Sequence, residues 1–560
     1  MTFDNVRDWI SHDPDPTTVA ELEALLAKAE AGDDEATAEL DDRFQGFLQF
    51  GTAGLRGAMG GGPFRMNRAV VRRAASGLVS WLLEKVGDDP LVVIGYDARY
   101  NSDDFARDTA GIVAAAGGRA MLMPRALPTP LLAHAVRALG ADAGVMVTAS
   151  HNPAADNGYK VYVGGRAIDE DGNGVQIVPP VDKEIAAKIA AAPAADEVPI
   201  VDSGWETIPE SFIDSYVAET VKLVPATHSR DLKIVYTAMH GVGAQVMRRV
   251  LKDAGFTNVV EVEAQNTPDP DFPTVPFPNP EEAGALDMAI ALAEAEGADI
   301  VLASDPDADR CSAAIPTPAG WRQLSGDEIG SVLGEQMATT AALANPDGNL
   351  ASSIVSSRLL EQIAGAHGLG YKATLTGFKW IARAPKIIFG YEEAIGFCVN
   401  PTVVKDKDGL SAALLLAWIA AKLRDEGTDI NGELDRLYVQ HGVYLTGPVT
   451  VRVEDLSIIP ATMAQVRTNP PAELAGSKVV SVVDLSNGTD ALPPTDAMVI
   501  LTEANDRVIV RPSGTEPKVK CYLEVIVPVA GKDALPEAKA AAAARLDAFK
   551  ADVSQMLTLG

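Results

Sequence analysis

Short apolar runs alternate with amphipathic stretches through the first three quarters of the chain, and this pattern predicts successive α/β units. The first unit is predicted to have strands at 91–96, 120–123 and 143–147, with helices at 103–116 and 130–139. The alternation restarts twice, which predicts strands at 232–236, 259–262, 300–303, 353–356, 372–375 and 386–389. Each unit is therefore expected to be a largely parallel sheet covered by helices.

The last quarter of the chain has a different pattern. Strands are predicted at 443–453, 479–485, 498–502, 508–510 and 519–527, and a closing helix at 535–557. Asn505-Asp506 is typical of a hairpin turn. This part therefore predicts a smaller α+β domain with an antiparallel sheet. The fold class is α/β, with three consecutive mixed α/β domains followed by this C-terminal domain, and the expected boundaries are 1–205, 206–325, 326–438 and 439–560.

Composition and charge narrow the function classes. The 560 residues include 47% hydrophobic residues, enough for sizeable cores. A net charge of −30 argues against a nucleic-acid or anionic membrane surface, because phosphate backbones select basic patches. Three widely separated cysteines fit a reducing cytoplasm. Residues 1–13 do not resemble a signal peptide, and the apolar stretch 410–421 is too short to span a bilayer.

A serine follows the predicted strand 143–147. Residues 148–153 read TASHNP, so Ser150 lies where ligands bind in open α/β sheets. Such a serine is often only a turn residue. Three later segments change that interpretation, because each supplies a part that serine phosphorylation chemistry needs.

Three aspartates follow the predicted strand 300–303. Alternate side chains of an extended backbone share one side, so Asp305, Asp307 and Asp309 can converge on one point. Three carboxylates suit Mg²⁺. An EF-hand loop also begins with alternating acidic residues, but here its glycine position holds Arg310 and its closing glutamate position holds Pro316.

Two further segments carry groups suited to a phosphorylated sugar. Residues 511–518 combine an arginine, two hydroxyls and a glycine between two predicted strands, which is typical of a phosphate cradle, and no P-loop motif occurs. Residues 390–396 place Glu392 and Glu393 at a strand end. Adjacent side chains usually point apart, so hydroxyl binding through one of them is favoured over glycosidase chemistry.

Five motifs in this order resemble the α-D-phosphohexomutase superfamily. They are residues 51–57 (GTAGLRG), 148–153 (TASHNP), 305–310 (DPDADR), 391–396 (YEEAIG) and 511–517 (RPSGTEP). The YEEAIG form, together with the DKDG at 406–409, resembles the branch that holds bacterial phosphoglucomutase/phosphomannomutase proteins and animal phosphopentomutase-like enzymes. The match spans nearly the whole chain.

The resemblance implies four domains around a central cleft and interconversion of hexose 1-phosphate and hexose 6-phosphate through a phosphoserine and a sugar bisphosphate. It implies one Mg²⁺ per chain, a sugar 1,6-bisphosphate activator, and a monomer or weak homodimer. The implied catalytic residues are Ser150, His151, Lys160, Lys407 and Arg56. The implied metal ligands are Ser150, Asp305, Asp307 and Asp309. The implied sugar-binding residues are Glu392, Arg310, Thr376, Gly377 and Lys379. The implied phosphate-binding residues are Arg511, Ser513, Gly514 and Thr515.

One departure leaves the sugar open. Many members of the superfamily have a serine two residues after the sugar-binding glutamate, and this chain has Ala394 there. A pentose phosphate is therefore an alternative substrate. A serine hydrolase is disfavoured because G-x-S-x-G is absent and His151 is adjacent to Ser150. A non-catalytic sugar-phosphate sensor is disfavoured because the serine and all three aspartates are present.

Overall fold

The computed structural model describes residues 2–51, 54–342, 344–452, 458–512 and 518–558. The chain forms two compact units, and both are discontinuous in sequence. Unit 1 comprises Met1–Leu324 and Gly396–Ala421, and unit 2 comprises Ser325–Ile395 and Lys422–Gly560. Among the described residues, no helix is both long and apolar enough to cross a bilayer.

The first sheet of unit 1 has the strand order β1-β5-β4-β2-β3-β7, with β6 paired to β5. Its strands are β1 (Gly54–Ala58), β2 (Leu91–Tyr96), β3 (Arg119–Leu122), β4 (Ala143–Val147), β5 (Asp156–Val163), β6 (Val175–Gln176) and β7 (Glu206–Thr207). β2 pairs in parallel with β3 and β4, whereas β5 runs antiparallel to β4 and β1. The prediction of parallel strands therefore holds for the centre of the sheet and not for the edge that carries β5.

Helices α1 to α7 belong to the same part of unit 1, whereas α8 packs mainly against the helix Ala244–Asp253 of the next part. These eight helices are α1 (Phe3–His12), α2 (Pro16–Glu30), α3 (Asp34–Arg43), α4 (Arg68–Val86), α5 (Ser102–Ala115), α6 (Thr129–Ala138), α7 (Val181–Ala190) and α8 (Ser211–Val221). α4, α5 and α7 pack their apolar sides on the sheet and form its main core. Helices α1 to α3 form a small separate core around Leu22 and Leu40.

The second sheet of unit 1 has the order β12-β11-β10-β8-β9. Its elements are β8 (Ile234–Thr237), α9 (Ala244–Asp253), β9 (Val259–Glu261), α10 (Asp287–Glu296), β10 (Ile300–Ser304), β11 (Cys311–Thr317) and β12 (Gly320–Gln323). β8, β9 and β10 are parallel; β8 and β10 are fully buried, as their apolar sequences predict, and β9 at the edge of the sheet is half-buried. The loop from β10 to β11 leaves at the carboxyl end of β10.

The first part of unit 2 contains a sheet in which β14, β13 and β15 are parallel neighbours. The elements of unit 2 from here to the last sheet are α11 (Gly326–Ala341), β13 (Asn349–Ser353), α12 (Leu359–Ala366), β14 (Gly370–Thr374), α13 (Phe378–Ile381), β15 (Ile387–Glu392) and α15 (Ile430–His441). The intervening β16 (Gly396–Cys398) and most of α14 (Gly409–Asp425) belong to unit 1. The prediction of a strand at 353–356 was wrong. The strand ends at Ser353, whose hydroxyl contacts that of Ser356 and accepts from its backbone N–H, so these serines form a turn.

The last sheet of unit 2 is antiparallel throughout, in the order β17-β22-β21-β20-β19-β18. Its elements are β17 (Val443–Arg452), α16 (Ile458–Thr468), β18 (Glu473–Leu474), β19 (Ser477–Asp484), β20 (Met498–Thr502), β21 (Arg507–Pro512), β22 (Lys518–Val527) and α17 (Leu535–Thr558). This agrees with the predicted antiparallel α+β domain.

Candidate active site

Ser150 lies just beyond the carboxyl end of β4. Its backbone is left-handed, with a φ of 52°, which costs a non-glycine residue about 1 kcal/mol or more. The residue is 2% exposed. Its Oγ donates a hydrogen bond of 2.9 Å to Oδ2 of Asp305 and lies 3.2 Å from Nδ1 of His151. The turn therefore directs the serine hydroxyl toward the acidic loop of the second sheet.

The carboxylates of Asp305, Asp307 and Asp309 converge in the loop between β10 and β11. Their ligand oxygen atoms lie within 4.8 Å of one another, and all three residues are fully buried. Ala308 takes a positive φ of 54°, which turns the loop back on itself. Gly241 lets the loop approach closely, because a Cβ there would lie 2.3 Å from Cα of Pro306. The convergence predicted from alternate spacing is thus present, although a turn and not an extended strand produces it.

The partners of the three carboxylates leave oxygen atoms available. Oδ2 of Asp307 accepts from Thr129 Oγ1 and Lys160 Nζ, both at 2.7 Å. Within the described part of the chain, Oδ1 of Asp307 and Oδ1 of Asp309 are buried with no hydrogen-bond donor. An unpaired buried carboxylate oxygen is costly, and Mg²⁺ prefers such hard oxygen ligands. These residues therefore fit a divalent cation.

The electrostatics of the triad support the same interpretation. Burial, followed by the charges of Asp307 and Asp309, raises the pKa of Asp305 well above its usual value. Burial opposes ionisation of Asp307 as well, but Lys160 lowers the pKa of that carboxyl below its usual range. A cation would relieve the repulsion that disfavours the ionised form of Asp305.

Two lysines reach the triad from different elements. Lys160 is on β5, opposite Met146 of β4, and its Nζ lies 3.0 Å from Oδ2 of Asp309. Nζ of Lys407, in the loop before α14, lies 3.2 Å from the same oxygen. Gly409 lets this loop pass the loop between β10 and β11, since a Cβ there would lie 2.1 Å from the carbonyl oxygen of Arg310. The structure therefore brings Lys160 to Asp307 and Asp309, and Lys407 to Asp309.

The loop of Lys407 is held by buried polar contacts that the sequence did not reveal. Oδ2 of Asp406 accepts from Tyr162 Oη at 2.7 Å and from Gln176 Nε2 at 2.8 Å. The carboxylate of Asp408 accepts from Tyr216 Oη at 2.8 Å. These partners lie more than 190 positions away along the chain, so no local pattern pointed to them.

Three further predicted residues surround Ser150. Nη1 of Arg56, on β1, donates to Oδ1 of Asn152 at 3.2 Å. Nε of Arg310 lies 3.8 Å from a carboxylate oxygen of Asp305 and one of Asp309. Burial, aided by the charges of Arg310 and Arg56, lowers the pKa of His151 well below its usual value, so its ring is neutral at pH 7. A neutral imidazole beside a hydroxyl can accept a proton.

The sequence interpretation missed Arg99. Its guanidinium donates to the carbonyl oxygens of Ser150, Asn152 and Pro153 at 2.7, 2.6 and 2.7 Å, and to that of Asp156 at 3.1 Å. One signal was available, because Arg99 follows β2 by three residues and parallel strands β2 and β4 end at the same edge.

Glu392, the predicted sugar-binding glutamate, lies in unit 2 with its neighbour Glu393. Glu392 ends β15 and is 7% exposed. Oε2 of Glu393 accepts from the hydroxyls of Ser353 and Ser356 at 3.0 and 3.1 Å. Burial, with the neighbouring charge of Glu392, raises the pKa of Glu393 to about 7. The carboxylate of Glu393 is therefore engaged by two serine hydroxyls of its own unit.

Four other predicted residues of unit 2 lie near the end of β21, in the turn before α13 or in α13 itself. Nη1 of Arg511 donates to Oγ1 of Thr376 at 2.5 Å. Gly377 has a φ of 105°, which favours glycine, and Nζ of Lys379 lies 5.9 Å from the centre of the Trp380 ring. The structure thus brings Arg511 to Thr376. The predicted phosphate-binding residues Ser513, Gly514 and Thr515 lie outside the described residues.

Family models match four successive parts of the chain. The phosphoglucomutase/phosphomannomutase alpha/beta/alpha domains I, II and III match residues 48–196, 210–319 and 325–438, and the C-terminal domain of that family matches residues 449–548. These matches confirm the predicted architecture of three α/β domains and a C-terminal domain.

Individual relatives agree with the domain models. A probable phosphomannomutase of Haemophilus influenzae is 45% identical over 464 residues, which cover 82% of this chain and 93% of that protein. A probable phosphoribomutase of Schizosaccharomyces pombe is 35% identical over 560 residues, 92% of each chain. The crystal structure of a phosphoglucomutase/phosphomannomutase family protein from Burkholderia thailandensis has a similar fold, with a TM-score of 0.67 and 21% identity over 90% of this chain and 97% of that one.

Proposed function

Because this chain belongs to the α-D-phosphohexomutase superfamily and is therefore a phosphomutase, we propose that it interconverts hexose 1-phosphate and hexose 6-phosphate, with glucose, mannose or both as the sugar. One observation carries the proposal. The hydroxyl of Ser150 is buried and donates to Asp305 in a triad that retains two unpaired carboxylate oxygens among the described residues. A phosphate on that hydroxyl would lie beside oxygen ligands for a cation.

The proposed reaction begins with Ser150 as a phosphate ester. A sugar hydroxyl oxygen attacks the phosphorus, its new P–O bond forms as the Oγ–P bond of Ser150 breaks, and the hydroxyl proton leaves to a base while Oγ gains a proton. The resulting bisphosphate turns round, and its other phosphoryl group returns to Oγ. A sugar 1,6-bisphosphate is therefore both intermediate and activator, since it rephosphorylates an enzyme that has lost its phosphate.

The residues around Ser150 have complementary roles in this proposal. Asp305, Asp307 and Asp309 hold one Mg²⁺, which neutralises charge on the transferring group when bound. Lys160 and Lys407 are the acid/base candidates, and each ammonium group already contacts Asp309. His151 is the neutral base beside Oγ of Ser150. Arg56 supplies a cation beside the serine loop, which is the segment between β4 and β5 that carries Ser150.

Substrate recognition is proposed to rest on the residues that the family resemblance implies. Glu392 accepts hydrogen bonds from sugar hydroxyls, with Arg310, Thr376, Gly377 and Lys379 as further sugar-binding residues. The phosphate that does not react is held by Arg511, Ser513, Gly514 and Thr515. Two phosphate sites are needed because the bisphosphate must present each end to Ser150 in turn. The boundaries between the four domains are proposed to follow residues 205, 325 and 438.

A pentose phosphate is the second candidate substrate. Ala394 offers no hydroxyl beside the proposed sugar site, and the relative from Schizosaccharomyces pombe is named a phosphoribomutase. The expected reaction is then ribose or deoxyribose 1-phosphate to the 5-phosphate, by the same chemistry at Ser150.

The net charge of −30 supports a small phosphorylated sugar, and not nucleic acid or membrane, as the partner. Three buried free thiols support a reducing cytoplasm, because none forms a disulfide. We propose a monomer or weak homodimer, which sedimentation velocity at several concentrations would test.

Intact mass and initial rates together test the function. We expect a phosphate adduct on Ser150 after treatment with glucose 1,6-bisphosphate, and loss of turnover in Ser150→Ala. The control is Ser80→Ala, an exposed serine of α4. Rates with glucose-, mannose- and ribose-1-phosphate then choose between the two candidates. Near-normal turnover in Ser150→Ala would refute the phosphoserine mechanism for every sugar.

A further inference from the structure

The serine loop has an unusual requirement for hydrogen-bond donors. The backbone carbonyl oxygens of residues 150, 152, 153 and 156 converge on a single guanidinium group, that of Arg99. Carbonyl dipoles that converge in this way repel one another unless a donor lies between them. Ser150 itself has a positive φ, so its own backbone does not favour the observed conformation.

Arg99 supplies all four donor contacts from one guanidinium. Nη2 donates to the carbonyls of residues 150 and 152, and Nη1 donates to those of 153 and 156. A planar fork suits this geometry, whereas an ammonium group would be a single point charge. The residue is 4% exposed, so water does not replace these bonds readily.

Two neighbours hold the guanidinium in place. Nε of Arg99 lies 3.4 Å from Oδ2 of Asp97, whose other oxygen accepts from the Arg99 N–H and the Ser102 hydroxyl. The guanidinium carbon lies 4.9 Å from the centre of the Phe272 ring. Phe272 is in the part of unit 1 that carries the loop between β10 and β11. A small cavity beside the guanidinium is lined by Asp97, Arg99, His240, Phe272 and Pro306.

We propose that Arg99 is a positioning residue for phosphoryl transfer, which holds the backbone of Ser150 so that Oγ points at the three aspartates. It acts through the loop and does not touch substrate. The inference rests on the proposed role of Ser150 as the phosphate carrier. Loss of the Arg99 side chain should slow phosphorylation of Ser150 and turnover. Binding of the sugar phosphate should be nearly unchanged, because the proposed sugar and phosphate contacts lie on other elements.

The test measures kcat, KM and the single-turnover rate of Ser150 phosphorylation by glucose 1,6-bisphosphate in Arg99→Ala. We expect kcat and the phosphorylation rate to fall on the order of 10²-fold, the cost of a misplacement of about 1 Å, with KM within about threefold of wild type. Guanidinium at low millimolar concentration should restore part of the rate, because the truncation opens space beside the existing cavity. The matched control is Arg72→Ala, which removes an arginine paired with Asp108 on α5.

Arg99→Lys keeps the proposal testable where Arg99→Ala does not fold. It should also lose kcat, since an ammonium cannot serve four carbonyls, and Phe272→Leu should lose at most about threefold. Normal kcat in Arg99→Lys, or losses confined to KM, would overturn the inference. A wild-type protein that never acquires phosphate on Ser150 would instead refute the proposed function, so the two failures are distinguishable.

Discussion

The ammonium group of Lys160 lies 2.7 Å from Oδ2 of Asp307, an oxygen that also accepts from the hydroxyl of Thr129. Burial acts to lower the pKa of Lys160, but Asp307 and Asp309 together raise it above its usual value. Lys160 is therefore protonated at neutral pH. In this state it can deliver a proton or neutralise charge, but it cannot accept a proton.

Replacing Lys160 by glutamine tests that role. We expect kcat to fall about 10²-fold or more, the usual contribution of a positioned acid, while KM changes little. Steady-state kinetics over pH 6–9 would measure both constants. Lys183→Gln, which changes an exposed lysine of α7, should behave as wild type. An unchanged kcat would show that another group performs the proton transfer.

Replacing Asp307 by asparagine should weaken the proposed metal site. We expect chelation to abolish turnover of the wild type and Mg²⁺ to restore it. The variant should need a Mg²⁺ concentration at least about tenfold higher for half-maximal activity, because losing even an indirect support of a metal ligand lowers metal affinity by about that factor. The measurement is activity against free Mg²⁺ concentration. Asp103→Asn, at an exposed position of α5, is the control. Full activity of the variant under chelation would exclude a metal role for this residue.

Arg511→Ala should weaken binding of the sugar phosphate. A charge-assisted hydrogen bond is worth about 1.5–3 kcal/mol, which corresponds to a rise in KM of roughly 10- to 100-fold. Intact mass should still show phosphate on Ser150 after treatment with glucose 1,6-bisphosphate at high concentration. Arg467→Ala, whose partners are Asp484 and Asp496, provides a control arginine of the same domain. An unchanged KM would place the phosphate elsewhere.

Glu393 should make stability depend on pH. Its pKa is about 7, raised from 4.5 by burial and by the charges of Glu392 and Asp327. A raised carboxyl pKa stabilises the fold at pH below about 4.5, and that contribution is lost as pH rises through about 7. Glu393→Gln is neutral at every pH, so the Tm of the wild type relative to the variant should fall between pH 5.5 and pH 8.5. Parallel Tm curves would contradict the shift.

Ala394 should make sugar recognition permissive. With no hydroxyl at this position, no buried polar group is left unpaired when the hydroxyl pattern of the sugar changes, and such sites discriminate weakly. We expect kcat/KM for glucose-1-phosphate and mannose-1-phosphate, and for ribose-1-phosphate if it is used, to lie within about two decades. Ala394→Ser should widen that range. If the kcat/KM of the wild type for one sugar exceeds that for every other sugar by more than about two decades, specificity is determined by other residues.

Local patterns predicted the strand at 143–147, the serine after it and the acidic loop, because burial and strand ends leave a signature within a few residues. The misplaced strand at 353–356 arose where apolar and serine residues mix, and hydroxyl contacts of Ser353 decided the outcome. Arg99 and Thr129 were not identified. Each acts on atoms dozens of positions away or more, and only the packed fold shows which carbonyl or carboxylate each one reaches.

The discontinuity of unit 1 has a consequence for biosynthesis. The segment Gly396–Ala421 belongs to that unit, yet it is translated only after the whole of 325–395. Until then Tyr162 and Tyr216 lack the carboxylates of Asp406 and Asp408, and the apolar side of α14 is missing from the core. The first part of unit 1 therefore stays incomplete while the first residues of unit 2 are synthesised. During this period the apolar surface that α14 will cover is exposed, and exposed apolar surface promotes aggregation. A fragment that stops at Leu324 would make that intermediate permanent, without Lys407 beside the three aspartates.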